Sequence, residues 1–228
     1  MIGIYAIFIF FALISWLVSS RLKSKFKKYS RIPIANGMSG RDIVERMLRD
    51  HGITEVKIGS VAGMLSDHYD PTSKTINLSQ EVYHGRSVSA AAVAAHECGH
   101  AVQHHQAYAW LQLRSNLVPM VSFASKYVQW VLLAGIILVQ TFPALLLIGI
   151  ILFAATTIFS IVTLPVEVDA SRRALVWLRS SGITNTETHA PAADALRWAA
   201  YTYFIAAISS LATLLYYVMM YMGVTRND

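Results

Sequence analysis

The sequence predicts a mainly α-helical membrane protein, with four spans and a cytoplasmic α+β domain carrying a small β-hairpin or sheet. Three observations predict it. Hydrophobic residues make up 55% of the 228 and charged residues 14%, against about 45–50% and about 25% in average globular chains, and mean hydropathy is +0.46. Four apolar runs come close to or reach the ~17–25 residues that cross roughly 30 Å of hydrocarbon. The polar segments between them carry helix caps and turn residues.

The first run, Ile2 to Val18, has no basic residue ahead of it and no small-residue cleavage site behind it, so it reads as an uncleaved anchor. The second, about Phe123 to Phe142, and the third, Ala144 to Leu164, are split only by Pro143 and form a tight hairpin across the membrane. Lys126 lies inside the second and snorkels to the interface. The fourth runs from about Ala199 to Met222. This divides the chain into an anchor (1–19), a first cytoplasmic piece (20–117), a membrane hairpin (118–164), a second cytoplasmic piece (165–197), and a last span with a short outside tail (198–228).

Charge fixes the orientation. Arg21, Lys23, Lys25, Lys27 and Lys28 follow the first run, and the two pieces assigned to the cytoplasm hold 17 of the 19 Lys and Arg residues. The positive-inside rule therefore leaves both termini outside. The formal charge of +6 records topology and contact with anionic lipid, and nucleic acid drops out as a partner.

Within the first piece, Ser39 caps a helix through Leu48, Asp42 completes the capping box, and Gly52 ends it. Asp70, Pro71, Thr72 and Ser73 are turn residues of a hairpin, with residues 62–69 as an edge strand able to bind an extended peptide. Ser87 or Ser89 then caps one long Ala-rich helix reaching Leu113. The second piece opens with a helix from Val166 to Ser180, beginning just after Pro165, and Pro191 starts the last helix.

The Ala-rich helix carries His96-Glu97-Cys98-Gly99-His100, an H-E-x-x-H pattern whose chance expectation in this composition is ~0.007. Four residues apart, His96 and His100 share a helix face and can hold one zinc ion, with Glu97 beside its water as general base. Cys98, the single cysteine, points elsewhere and packs. A third ligand is needed, and topology brings Glu167 to the same side of the membrane. The alternative for Glu167 is an acid favoured by a helix N-terminus. His104 lies a full turn too far. For an oxyanion donor, His189, Tyr83, Arg172 and Arg173 are candidates, with His189 first because it falls in a loop of the second piece.

The stretches SDHYDPTSKTINLS, YHG, VAAHECGHAVQHH and LPVEVDASRRAL resemble the bacterial membrane-bound neutral zinc metallopeptidases of YugP-like type. These are gluzincins distantly similar to the heat-shock protease HtpX and the CAAX prenyl proteases. The resemblance implies a zincin-like metalloprotease domain with Zn2+ as cofactor, in a bacterial cell membrane, acting as an endopeptidase on peptides or proteins, membrane or misfolded ones among them. It also implies Glu167 as third ligand, from an E-x-x-x-D pattern in which Ser171 replaces the Asp while Asp169 turns off that face. The alternative function is a catalytically silent metal-binding scaffold or chaperone-like binder.

Overall fold

The computed structural model describes residues 2–225. In chain order it runs α1 (Ile2–Tyr29), α2 (Gly40–Asp50), β1 (Lys57–Val61), β2 (His68–Asp70), β3 (Thr75–Ser79), α3 (Gln80–Tyr83), α4 (Val88–His105), α5 (Ala109–Ile137), α6 (Pro143–Ser180) and α7 (Thr186–Thr225). Four of these helices are long and apolar enough to cross a membrane: α1, α5, α6 and α7. The chain forms two compact units, one of residues 1–17, 113–164 and 202–228, the other of residues 18–112 and 165–201.

In the first unit the core gathers Leu132, Leu146, Ile150 and Tyr217 from α5, α6 and α7. Gly135 lets α5 and α6 close up, because a Cβ there would lie 2.7 Å from the Leu146 Cα. Thr157 and Ser210 hydrogen-bond across α6 and α7 at 2.7 Å, the kind of polar link that joins helices where lipid offers no partner.

In the second unit, α2 forms as its sequence dictates. Ser39 Oγ accepts from the Asp42 N–H and the Asp42 carboxylate accepts from the Ser39 N–H, satisfying two otherwise orphaned donors. The stripe Ile43, Val44, Met47 and Leu48 is buried, packing with Ile76 and Leu78 of β3 and the alanines of α4 in one core. Gly52 takes the left-handed conformation that lets the chain turn away. Asp70 braces the hairpin turn, accepting from the Thr72 N–H at 2.9 Å and the Ser73 hydroxyl at 2.6 Å.

Several elements differ from the sequence expectation. The hairpin β2–β3 is joined by β1, which pairs in parallel with β3, giving a sheet of order β1-β3-β2. The edge strand is confined to residues 68–70, because residues 62–65 bend and turn, with Gly63 and Leu65 at positive φ. The long helix from Ser87 to Leu113 is two helices. Ser87 caps α4, whose α-helical run stops at His105, and Ala107 adopts a left-handed φ of 52°. The Ala107 and Tyr108 N–H groups fold back onto the His104 and Gln103 carbonyls. The second apolar helix ends at Ile137, so residues 138–142 make a real turn before Pro143 opens α6. Helix α6 then continues through Pro165, and α7 begins at Thr186, five residues before Pro191. Asn185 caps α7 by accepting from the Glu187 and Thr188 N–H groups.

Candidate metal centre

Two helices of the second unit build the site. Helix α4 presents His96 and His100 from successive turns of one face, and α6 presents Glu167 opposite them. Glu167 lies deep within α6, so the N-terminal-acid reading of it does not apply. The helices come this close because Gly99 has no side chain: a Cβ there would sit 2.7 Å from the Ala170 carbonyl oxygen.

Glu167 Oε2 lies 3.3 Å from His96 Nε2 and 3.6 Å from His100 Nε2. One donor atom from each of the three residues lies within 4.8 Å of the other two. Two ligands held tetrahedrally at the usual zinc bond lengths are roughly 3.4 Å apart, so both carboxylate–imidazole separations match the edges of such a site. Two neutral imidazoles and one carboxylate also form a donor set suited to a catalytic zinc with an open fourth position.

The outer nitrogens are held as well. His100 Nδ1 lies 3.0 Å from Gln103 Oε1. The Gln103 amide nitrogen donates to the Val166 carbonyl at 2.8 Å and to Asp169 Oδ2 at 3.0 Å. Both of those partners are acceptors, which fixes the amide orientation and obliges His100 Nδ1 to carry the proton. The Nε2 lone pair is thereby aimed at the shared point. Asp169 is in turn held by Arg172 and Arg173, and Arg173 reaches the Gln106 side chain. Ser171 Oγ lies 3.1 Å from His96 Nδ1, filling the place where the related pattern carries Asp.

Glu97 is 8% exposed. Burial is the main cause that raises its carboxyl to about 7; the charges of Glu167 and Asp67 act in the same direction, while His96 and the Tyr69 N–H of the edge strand oppose it. Asp67 accepts from the Ser79 N–H and hydroxyl and so ties the loop after β1 to the end of β3. Cys98 is fully buried in the core, as a packing residue should be. His104 Nδ1 bonds the Tyr69 hydroxyl at 2.7 Å, outside the ligand cluster.

The matching profile, described as "Putative neutral zinc metallopeptidase", covers residues 4–222. The chain belongs to this neutral zinc metallopeptidase family. Membership implies a Zn2+ cofactor, which the three donors above fit. Among similar chains is "Putative membrane protease YugP" of Bacillus subtilis (strain 168), 40% identical over 210 residues that span 92% of each chain. No solved structure matches.

Among the remaining predicted residues, His189 is not in a loop. It stands in the first turn of α7, its Nδ1 3.1 Å from the Thr184 hydroxyl, and it lines a groove that also reaches Ser171. Arg172 and Arg173 are committed to Asp169. Tyr83 packs against His84 and Arg41. Sequence reasoning missed Gln103. Its signal was its place three residues after His100 on the same helical face.

Proposed function

We propose that the protein is a membrane-embedded zinc endopeptidase with its active site at the cytoplasmic face. The convergence of His96, His100 and Glu167 at zinc-ligand spacing, with Glu97 beside them, is the observation that carries this reading. His96 and His100, with outer nitrogens held by Ser171 and Gln103, and Glu167 hold the metal. Zinc, when bound, polarises a carbonyl and lowers the pKa of water from ~15.7 toward ~7. Glu97 takes the proton of the attacking water as general base and passes it to the leaving amine. Its buried position makes it a stronger base than an exposed carboxylate. His189 is the proposed donor to the developing oxyanion, with its Nδ1 occupied by Thr184 and its other nitrogen left for the groove.

The cytoplasmic side rests on the positive-inside excess of Lys and Arg in residues 20–117 and 165–197. The substrates are peptides or proteins, membrane or misfolded ones included. The decisive experiment compares purified wild type with Glu97→Gln: about one zinc per chain in both, and peptide hydrolysis in the wild type alone. Equal hydrolysis by the variant would refute the assignment of Glu97.

A further inference from the structure

Helices α6 and α7 flank an open groove of about 380 Å3 within the unit that carries the metal site, inside the ~300–1,000 Å3 range of small-ligand sites. Its floor is apolar, with Leu175 and Leu196. Its charged lining is of one sign only: Arg172, Arg179 and Arg197, with no carboxylate among the lining residues. Arg172 is paired with Asp169 at 2.7 Å, a carboxylate it shares with Arg173. The nearby Asp194 is taken by Lys25 at 2.8 Å and by the Tyr29 hydroxyl. Among the described residues neither Arg179 nor Arg197 forms a salt bridge. Among the described residues Arg179 therefore stands over the apolar trough with no carboxylate paired to it, and Arg197 shares the single charge of Asp194 with Lys25.

Ser171 connects the groove to the chemistry. It lines the groove and also holds His96 Nδ1, so the groove starts beside the metal-ligand face of α6. Arg179 lies eight residues further along the helix, ~12 Å at 1.5 Å per residue, a distance that an extended peptide covers in about four residues.

We propose that this groove selects substrates bearing an Asp or Glu side chain within about four residues of the scissile bond, recognised by Arg179 and Arg197. The proposal rests on the zinc-peptidase reading and adds the substrate class to it. Because both cations are exposed at the rim, the attraction is screened by salt and amounts to on the order of tenfold for the pair.

The test uses full-length zinc-loaded protein in nanodiscs and a quenched peptide series carrying Glu, Gln or Lys at each position around one cleavable bond. The expected result is kcat/KM about tenfold higher for Glu than for Lys at one position within four residues of the bond, carried by KM and shrinking with added salt. In Arg179→Glu/Arg197→Glu the order inverts, with Lys peptides cleaved faster than Glu peptides. Binding to zinc-loaded Glu97→Gln, which needs no turnover, should show the same tenfold ranking. Cleavage without an acidic preference, or a preference that survives the double substitution, overturns the groove assignment and leaves the peptidase reading intact. No cleavage of any peptide by zinc-loaded wild type overturns both. Loss of the ranking when phosphatidylglycerol replaces phosphatidylcholine at fixed ionic strength assigns the groove to lipid headgroups and overturns the proposal.

Discussion

Replacing Gly99 with alanine should cost the protein its zinc. The added Cβ would lie 2.7 Å from the Ala170 carbonyl oxygen and 3.2 Å from the Ala170 C and Cα atoms, whereas ordinary contact begins at 3.4 Å. The obstacle is backbone within α6, which cannot rotate aside, so α4 and α6 must part locally by about 0.7 Å, the shortfall against the carbonyl oxygen. Zinc ligands tolerate about ±0.2 Å, and His96 and His100 lie on one of these helices while Glu167 lies on the other. The shift therefore exceeds the tolerance severalfold, and zinc affinity should fall at least about tenfold, with peptidase activity following. Helix propensity predicts the reverse, since alanine is favoured over glycine by about 1 kcal/mol inside a helix. Overpacking of about 1–3 kcal/mol should outweigh that gain and lower the zinc-free unfolding temperature. Zinc content after equilibration against a chelator series measures the first effect, and thermal unfolding of the zinc-free protein the second. A variant with wild-type zinc affinity would refute the claim that this contact sets the ligand geometry.

The hydrogen bonds behind the ligands give graded tests. Ser171→Ala should weaken zinc binding by about tenfold and Ser171→Asp should strengthen it, both read by chelator competition, because the group behind a ligand histidine sets its orientation and basicity. Gln103→Leu removes the acceptor that fixes the His100 tautomer and leaves Asp169 one partner short, so a loss of about 10–100-fold in zinc affinity is expected; an unchanged affinity would show that the Gln103 contact is idle. Burial, aided by Glu167 and Asp67, raises Glu97 from 4.5 to about 7 in the zinc-free protein. A folded pKa above the unfolded one contributes stability that is complete below pH 4.5 and lost as pH rises through 7. Glu97→Gln should therefore stabilise the zinc-free protein at pH 8 by up to about 3 kcal/mol, at ~1.36 kcal/mol per pH unit, and leave it unchanged at pH 4. Equal effects at both pH values in thermal unfolding would sink the argument.

Local signals in the sequence were the most legible. The capping box at Ser39, the apolar stripe of α2, the turn at Asp70 and the pair His96/His100 each follow from residues within one or two helical turns of one another, and each appears in the structure. The parallel pairing of β1 with β3 was not legible, since nothing in the KIGSV segment names a partner 18 residues away. The helix break at Ala107 was hidden for a related reason: a left-handed alanine costs roughly 1–2 kcal/mol and persists where surrounding contacts over-determine it. Here the Ala107 and Tyr108 N–H groups find carbonyl partners, and Tyr108 takes the Arg173 guanidinium over its ring.

A helix start after Pro165 follows the local meaning of proline where burial decides. Pro165 has no N–H to offer the Ile161 carbonyl, and a helix start after it is the ordinary reading. Yet Val162, Val166, Ala170, Ala174 and Leu178 are buried on both sides of it at one-turn intervals. Breaking the helix at Pro165 would expose that stripe, at about 1.5–3 kcal/mol for each Val or Leu, against about 3 kcal/mol for a proline inside a helix. Burial is therefore the larger of the two, and α6 runs on unbroken. Continuity has a consequence for the site, because Glu167, two residues beyond the proline, becomes part of a helix braced on both sides. A ligand carboxylate on a fraying first turn would wander by more than zinc allows; one inside an unbroken helix is held before the metal arrives.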